Sequence, residues 1–176
     1  MRHSRSGLRY PSDLRDDEWE LIEPLLPAGL DALDMLRIEV GLIFAGYGIS
    51  DQTDPLEAGI GFAAPKSKRS AFVGAETLAR RREHPQRVLA GLVIDGAEAM
   101  AHGDPVYAGR VQARVVTSAT RSPFLGQTIA LARIDVPFAA LGTALTIGKL
   151  DGQQKRIGAN VVRFPHYDPD KTRVRS

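Results

Sequence analysis

The chain has 176 residues, of which 43% are hydrophobic and 25% charged, as in an ordinary soluble domain with short appendages. Its 23 basic and 21 acidic residues leave a formal net charge of +2, so no strong field attracts nucleic acid or an anionic membrane. The sequence has no cysteine, no signal-like N-terminus and no apolar run long enough to cross a bilayer. These features exclude disulfides and thiolate metal sites, and they favour a cytoplasmic protein without nucleic-acid or membrane partners.

Residues 1–29 form a leader in which a short amphipathic helix is predicted. Ser12 or Asp13 can cap its start, and apolar residues recur along one face at Leu14, Trp19, Ile22 and Leu26. The stretch RYPSDLRDDEWELIEPLLP, from Arg9 to Pro27, resembles the first residues of bacterial insertion-sequence transposases. The acidic metal-binding residues of those enzymes lie far downstream of such a start, so the resemblance implies no transposase chemistry here.

Residues 30–86 are expected to contain two helices joined by glycine-containing loops. The first helix begins near Leu30 and carries apolar residues near one face: Leu30, Leu33, Leu36 and Val40. The second is predicted from Gly74 to Glu83, and Pro85 ends it. Its run of three arginines, residues 80–82, is interpreted as a solvated face, with a phosphate or carboxylate site as the alternative.

From Arg87 onward the pattern changes to short β-branched runs separated by turn residues. Six such runs follow in order: RVLAGLVID, DPVYA, RVQARVVTSA, TIALARIDV, ALTIG and RIGANVVRF. They predict a small, closed or nearly closed, six-stranded antiparallel barrel over residues 87–165, with a tail over 166–176. The expected fold class is therefore mainly β with some α.

The stretch VVTSATRSPFLGQTIALARID, from Val115 to Asp135, resembles the C-terminal barrel of the glycine-cleavage T-protein, or aminomethyltransferase, family. The runs DMLRIEVGL, DQTDPLEAGIGF, AFVGAETL and AHGDPV agree with that family in order, so the resemblance extends from about Leu30 to Tyr167. It implies tetrahydrofolate-dependent transfer of an aminomethyl or methyl unit. It also implies that residues 30–86 are a remnant of a larger folate-binding part, which in the family precedes this segment.

The resemblance assigns few site residues. The position of the family's folate-gripping arginine is occupied by Leu33. Arg37 and Glu39 lie in the matched run and are candidates for the folate pocket, with a structural ion pair or helix-surface groups as the alternative. Tyr167, in FPHYDP, stands near a family tyrosine that touches folate, and a surface anchor is its alternative. No catalytic residue is predicted.

Three other motifs are interpreted as structural. His102 and His166 have no partner at metal-ligand spacing, so no metal site is predicted. TSATRSP, from Thr117 to Pro123, is predicted to be a turn between two strands because the glycines of a nucleophile elbow are missing. GIGFAA, from Gly59 to Ala64, does not follow a strand and is rejected as a dinucleotide fingerprint.

Three functional hypotheses follow. In the first, an insertion element joined a transposase start to the tail of a one-carbon transferase, and the product neither transfers one-carbon units nor binds tetrahydrofolate tightly. In the second, the chain is a non-catalytic module that pairs with another chain through an exposed face at Leu30, Leu36, Ile38 and Ile43. A DNA-associated protein is the third, which the near-zero net charge disfavours. Self-association through exposed apolar surface is expected in the first case.

Overall fold

A computed structural model of the chain describes residues 30–64, 72–149, 155–170 and 172. The leader helix predicted within residues 1–29 lies outside the described residues. The chain divides into two compact units, Met1–Leu33 and Asp34–Ser176, and the described part of the first is residues 30–33. Among the helices of the described ranges, none has the length and apolar character that a membrane span requires.

The described residues form two α-helices, α1 at Leu30–Glu39 and α2 at Ala75–Glu83, together with short 3-10 turns at Gly61–Ala63 and Val136–Phe138. Both α-helices lie where the sequence predicts them. After α1 the amide of Leu42 donates to the Arg37 carbonyl and that of Gly41 to the Ile38 carbonyl, at 2.7 and 3.3 Å. This is a Schellman motif, and Gly41 supplies its left-handed residue with φ of 76°.

The apolar residues predicted to lie near one face of α1 form the solvent-exposed face of the helix. Leu33, Leu36 and Val40 are 63%, 49% and 43% exposed. The buried face instead carries Arg37, Ile38 and Glu39. The prediction that Ile38 belongs to an exposed face is wrong, because this side chain packs with Ile129 and Leu131 and is fully buried.

The strands form a closed antiparallel barrel with the ring order β1-β4-β3-β2-β5-β6. Their bounds are β1 Arg87–Ile94, β2 Pro105–Ala108, β3 Val111–Ser122, β4 Gln127–Asp135, β5 Ala144–Gly148 and β6 Arg156–Val162. The predicted six-stranded antiparallel barrel is therefore confirmed. Its ring closes because β1 pairs with β4 on one side and with β6 on the other, where Gly91 lies opposite Leu131 and Val162 respectively.

Two apolar clusters use opposite faces of the same strands, as the twofold side-chain repeat of a strand requires. The larger cluster fills the barrel, and its fully buried members include Leu92, Val106, Val116, Ile134 and Ile147. The smaller cluster consists of Ile38, Ile129 and Leu131, with partly buried neighbours such as Leu89 and Val93. Ile38 thus fastens α1 to the outside of β1 and β4, worth roughly 1.5–3 kcal/mol for one buried isoleucine.

The segment predicted as a turn at Thr117–Pro123 is mostly strand. β3 continues to Ser122, and the turn occupies only residues 123–126. The pairing of β3 with β4 shifts register between Val116 and Ser118, so Thr117 is the extra residue of a bulge. Thr117 and Ser118 are both buried as a result. The small polar residues that suggested a turn instead face α1 and the neighbouring strand.

Candidate functional site

Arg37 holds α1 to the barrel through a buried guanidinium. The side chain is 7% exposed, and its Nε donates to Asp34 Oδ1 at 2.6 Å. Its Nη2 donates to Ser118 Oγ on β3 at 3.0 Å, and its Cζ lies 5.4 Å from the centre of the Phe44 ring. Arg37 therefore forms an ion pair with the partly exposed Asp34, and its Nη2 is directed into the domain at Ser118.

Glu39 joins three segments that are distant in sequence. Its side chain is 5% exposed and accepts the hydroxyl hydrogen of Ser122, at the end of β3. Its backbone carbonyl accepts the amide of Tyr167 at 2.8 Å. Ser122 Oγ also accepts the amide of Leu125 at 3.0 Å, which fixes the β3–β4 turn. The end of α1, this turn and the C-terminal segment consequently converge on one residue, Glu39, through its carboxylate and its backbone carbonyl.

The C-terminal segment lies across α1 and β1. The ring of Phe164 approaches Gly41, where an added Cβ would stand 2.7 Å from Phe164 Cζ. Gly91 on β1 leaves room for the next residues, since a Cβ there would lie 3.0 Å from His166 Cε1. Further along, the half-buried Tyr167 meets Phe124 edge to face, with ring centres 5.3 Å apart and planes at 73°.

His166 is held in one tautomer. Its Nε2 lies 3.1 Å from the carbonyl oxygen of Ala130, and because a carbonyl only accepts, Nε2 carries the proton. Burial lowers the pKa of His166 below its ordinary 6.5, and the hydrogen bond to Ala130 and the negative charge of Glu39 oppose that shift. The imidazole is accordingly neutral at pH 7.

The structure thus brings Glu39 and Tyr167 together, whereas Arg37 contacts a different part of β3. We use the name tail junction for one set of residues: Glu39, Ser122, Phe124, His166 and Tyr167. Within the described residues, no group of three or more metal-ligating side chains comes together. The sequence motifs did not single out Ser118, Ser122 or Phe124 as site residues, although the spacing of four residues between the two serines is typical of one face of a strand.

The tail junction combines a buried carboxylate and a partly buried neutral imidazole with two aromatic rings, of which Phe124 is exposed and Tyr167 half-buried. Leu33, where the sequence resemblance predicts the folate-gripping arginine of the family, is uncharged and 63% exposed.

Comparison with known proteins agrees with the barrel. Residues 87–168 match the family described as glycine cleavage T-protein C-terminal barrel domain. Trimethylamine-oxide aldolase from Ruegeria pomeroyi is 59% identical over 164 residues, which cover 92% of this chain and 21% of that protein. The aminomethyltransferase of Geobacillus kaustophilus is 36% identical over 156 residues, covering 85% of this chain and 42% of that protein.

A crystal structure of glycine cleavage system aminomethyltransferase T from Bartonella henselae matches with a TM-score of 0.72 and 27% identity, covering 85% of this chain and 44% of that chain. This chain therefore spans less than half the length of these relatives. The match to the aldolase covers 92% of this chain, which is a larger share than residues 30–176 make up. Part of the matched segment therefore lies within residues 1–29. Residues 87–168 are a C-terminal barrel domain of the aminomethyltransferase, or glycine cleavage T-protein, family.

Proposed function

We propose that this chain supplies one wall of a tetrahydrofolate-dependent one-carbon-transfer site and does not complete the transfer by itself. The observation that carries the proposal is the convergence of α1, the β3–β4 turn and the C-terminal segment at Glu39. It places Tyr167, the residue for which the family resemblance implies folate contact, at the surface of a T-protein-type barrel. Similarity to the trimethylamine-oxide aldolase points to a methylated amine as the one-carbon donor.

The proposed lack of turnover follows from the contacts of the buried side chains. Glu39 directs its carboxylate to the buried Ser122, and Arg37 directs its guanidinium to the buried Ser118 and to Asp34 on its own helix. Holding donor and acceptor in one oriented pocket is worth roughly 7–11 kcal/mol of a transfer barrier, and a single wall cannot supply that orientation. In the relatives, more than half of the protein lies outside the matched part, and we assign the remaining walls and the acid–base group to such a part.

Two measurements test this proposal. Anaerobic incubation of the purified chain with tetrahydrofolate and trimethylamine oxide is expected to give no one-carbon folate by mass spectrometry, and turnover by the chain alone would overturn it. Isothermal titration with tetrahydrofolate is expected to give no micromolar binding. A saturable micromolar heat that the substitution Tyr167→Phe abolishes would show a complete site.

A second candidate function, a non-catalytic module that pairs with another chain, is supported by exposed apolar side chains on α1 and the loop that follows it. The side chains concerned are between 43% and 61% exposed and belong to Leu36, Val40, Leu42, Phe44 and Tyr47. Several exposed apolar side chains within a short stretch of chain are typical of a surface that another polypeptide covers. Mixing the chain with a separately expressed N-terminal part of an aminomethyltransferase discriminates the two candidate functions. If the chain is a non-catalytic module, the mixture is expected to form a stable complex without transfer activity.

A further inference from the structure

The three consecutive arginines of α2 do not share one environment. Arg82 is directed toward the preceding loop, where its Nη2 donates to the carbonyl oxygen of Gly61 at 3.1 Å and also to that of Ala64. Arg80 and Arg81 instead line an open hollow at the end of the helix. The run is therefore not a uniform solvated face, and two of its members share a concave surface.

This hollow has basic walls and lies between α2 and the start of β1. Its volume is about 340 Å³, and its lining residues are Thr77, Arg80, Arg81, His84 and Gln86. None of the five is acidic, and none belongs to the tail junction. Guanidinium groups present N–H donors in a fixed planar fork that matches the oxygens of phosphate and carboxylate groups. The lining is therefore suited to an anion.

Neutral neighbours hold both guanidinium groups at the hollow and use only part of their donors. Arg80 Nη2 donates to Thr77 Oγ1 at 3.4 Å, and Arg81 Nη1 donates to Gln86 Oε1 at 2.8 Å. The carboxylate of Asp54 lies 4.0 Å from Arg81 Nε and does not line the hollow. Because a guanidinium carries five N–H donors, each arginine keeps donors for a further acceptor among the described contacts.

The charge of the helix end alone does not explain this arrangement. Basic residues in the last turn interact favourably with the partial negative charge of the helix C-terminus, wherever their side chains point. Adjacent residues on a helix face different directions, yet Arg80 and Arg81 line the same hollow. Their hydrogen bonds to Thr77 and Gln86 account for this convergence.

We propose that this hollow binds a small oxyanion, a phosphate or carboxylate group of a ligand, through the guanidinium groups of Arg80 and Arg81. His84 adds an imidazole that can donate one further N–H. Solvent reaches both arginines, and Arg81 is 39% exposed, so binding is expected in the millimolar range. The inference goes beyond the one-carbon site and does not depend on it.

The test is proton–carbon NMR of the histidine Cε1–H groups in the full chain, titrated with sodium phosphate at constant pH and ionic strength. The sequence contains 4 histidines, and His84→Gln assigns the signal of His84. We expect this signal to move saturably with phosphate. His102, which does not line the hollow, is the internal control and is expected not to move. A parallel titration with acetate shows whether the hollow prefers phosphate or carboxylate.

Substitutions separate a binding site from a diffuse positive field. Arg80→Gln and Arg81→Gln are each expected to weaken phosphate binding by up to about fivefold, the range for exposed ion pairs, and together to remove the saturable response. Two matched controls remove the same charge elsewhere and are expected to leave the response in place. Arg82→Gln changes the same helix, and Arg121→Gln changes the other end of β4, where Arg121 lies opposite Thr128.

Four results would overturn the inference. The first is a His84 signal that phosphate does not move up to its solubility limit. The second is an equal movement with sodium chloride at the same ionic strength, which would show general screening. The third is an undiminished response in the folded double variant of Arg80 and Arg81, which would place the anion elsewhere. The fourth is an equal loss of response in Arg121→Gln, which would show that the net charge of the chain is sensed.

Discussion

The substitution Gly41→Ala tests how firmly the C-terminal segment is packed against α1. Gly41 has φ of 76°, and forcing alanine into this left-handed conformation costs about 1–2 kcal/mol. The added Cβ would also lie 2.7 Å from Phe164 Cζ and 3.0 Å from Pro165 Cβ, closer than side chains tolerate. Overpacking of this kind typically costs a further 1–3 kcal/mol. We therefore expect a total loss of about 2–5 kcal/mol in the free energy of unfolding.

Gly46→Ala is the matched control, because Gly46 has φ of 86° and an added Cβ there meets no atom within 4 Å. It is expected to show the conformational cost alone. Urea unfolding followed by circular dichroism measures both variants. With a slope of about 1–3 kcal/mol per molar urea, the contact with Phe164 should lower the midpoint of Gly41→Ala by on the order of 1 M relative to Gly46→Ala.

A double-substitution cycle identifies the source of that difference. In a Phe164→Ala background, Gly41→Ala is expected to cost little more than Gly46→Ala, because the clashing ring has been removed. Equal midpoints for the two glycine variants in the presence of Phe164 would refute the reasoning, since they would show that the C-terminal segment moves aside without energetic cost.

Three further predictions concern the barrel, the buried histidine and the apolar patch. Ile134→Ala should lower the unfolding free energy by about 2–5 kcal/mol because this side chain is fully buried. Leu141→Ala, at a position that is 69% exposed, should change the unfolding free energy by no more than about 0.5 kcal/mol. Thermal unfolding measures both changes. Since burial lowers the pKa of His166 in the folded state, its neutral form stabilises the fold above pH 6.5, and that contribution is lost as the pH falls below this value. Unfolding measured between pH 7.5 and 5.5 should show a smaller pH dependence in His166→Gln. Light scattering at increasing protein concentration should show self-association that the paired change Leu42→Ser and Phe44→Ser reduces, and an unchanged mass distribution would contradict this role for the patch.

The barrel could be predicted from the sequence because its signals are local. Each run of β-branched residues spans a few positions, five of the six end at or next to glycine, proline or aspartate, and the six runs agree with the strands to within a few residues. The error at Thr117–Ser122 has the same origin. Serine, threonine and arginine in succession favour a turn locally, but here two of them face α1, which lies some eighty positions earlier in the chain.

The site was less predictable because its contacts are not local. Arg37 and Glu39 were found only through a family resemblance, and their partners Ser118 and Ser122 have no sequence signal that connects them to α1. The same holds for the exposed face of α1. Apolar residues at helical spacing usually mark the buried side, yet here Ile38 and two charged residues are buried while Leu33 and Leu36 face outward.

The ring order of the barrel has a consequence for synthesis. β1 is the first strand of the barrel to be synthesised, but its two neighbours are the fourth and the last. One of its edges is therefore unpaired until β4 is available, and the other until residues 156–162 are available. A nascent chain halted before that point exposes a strand of apolar residues with unsatisfied amides, which is a template for wrong pairing with other chains. Closure of the ring therefore requires the last strand, and until β6 is in place one edge of β1 stays open to wrong pairing.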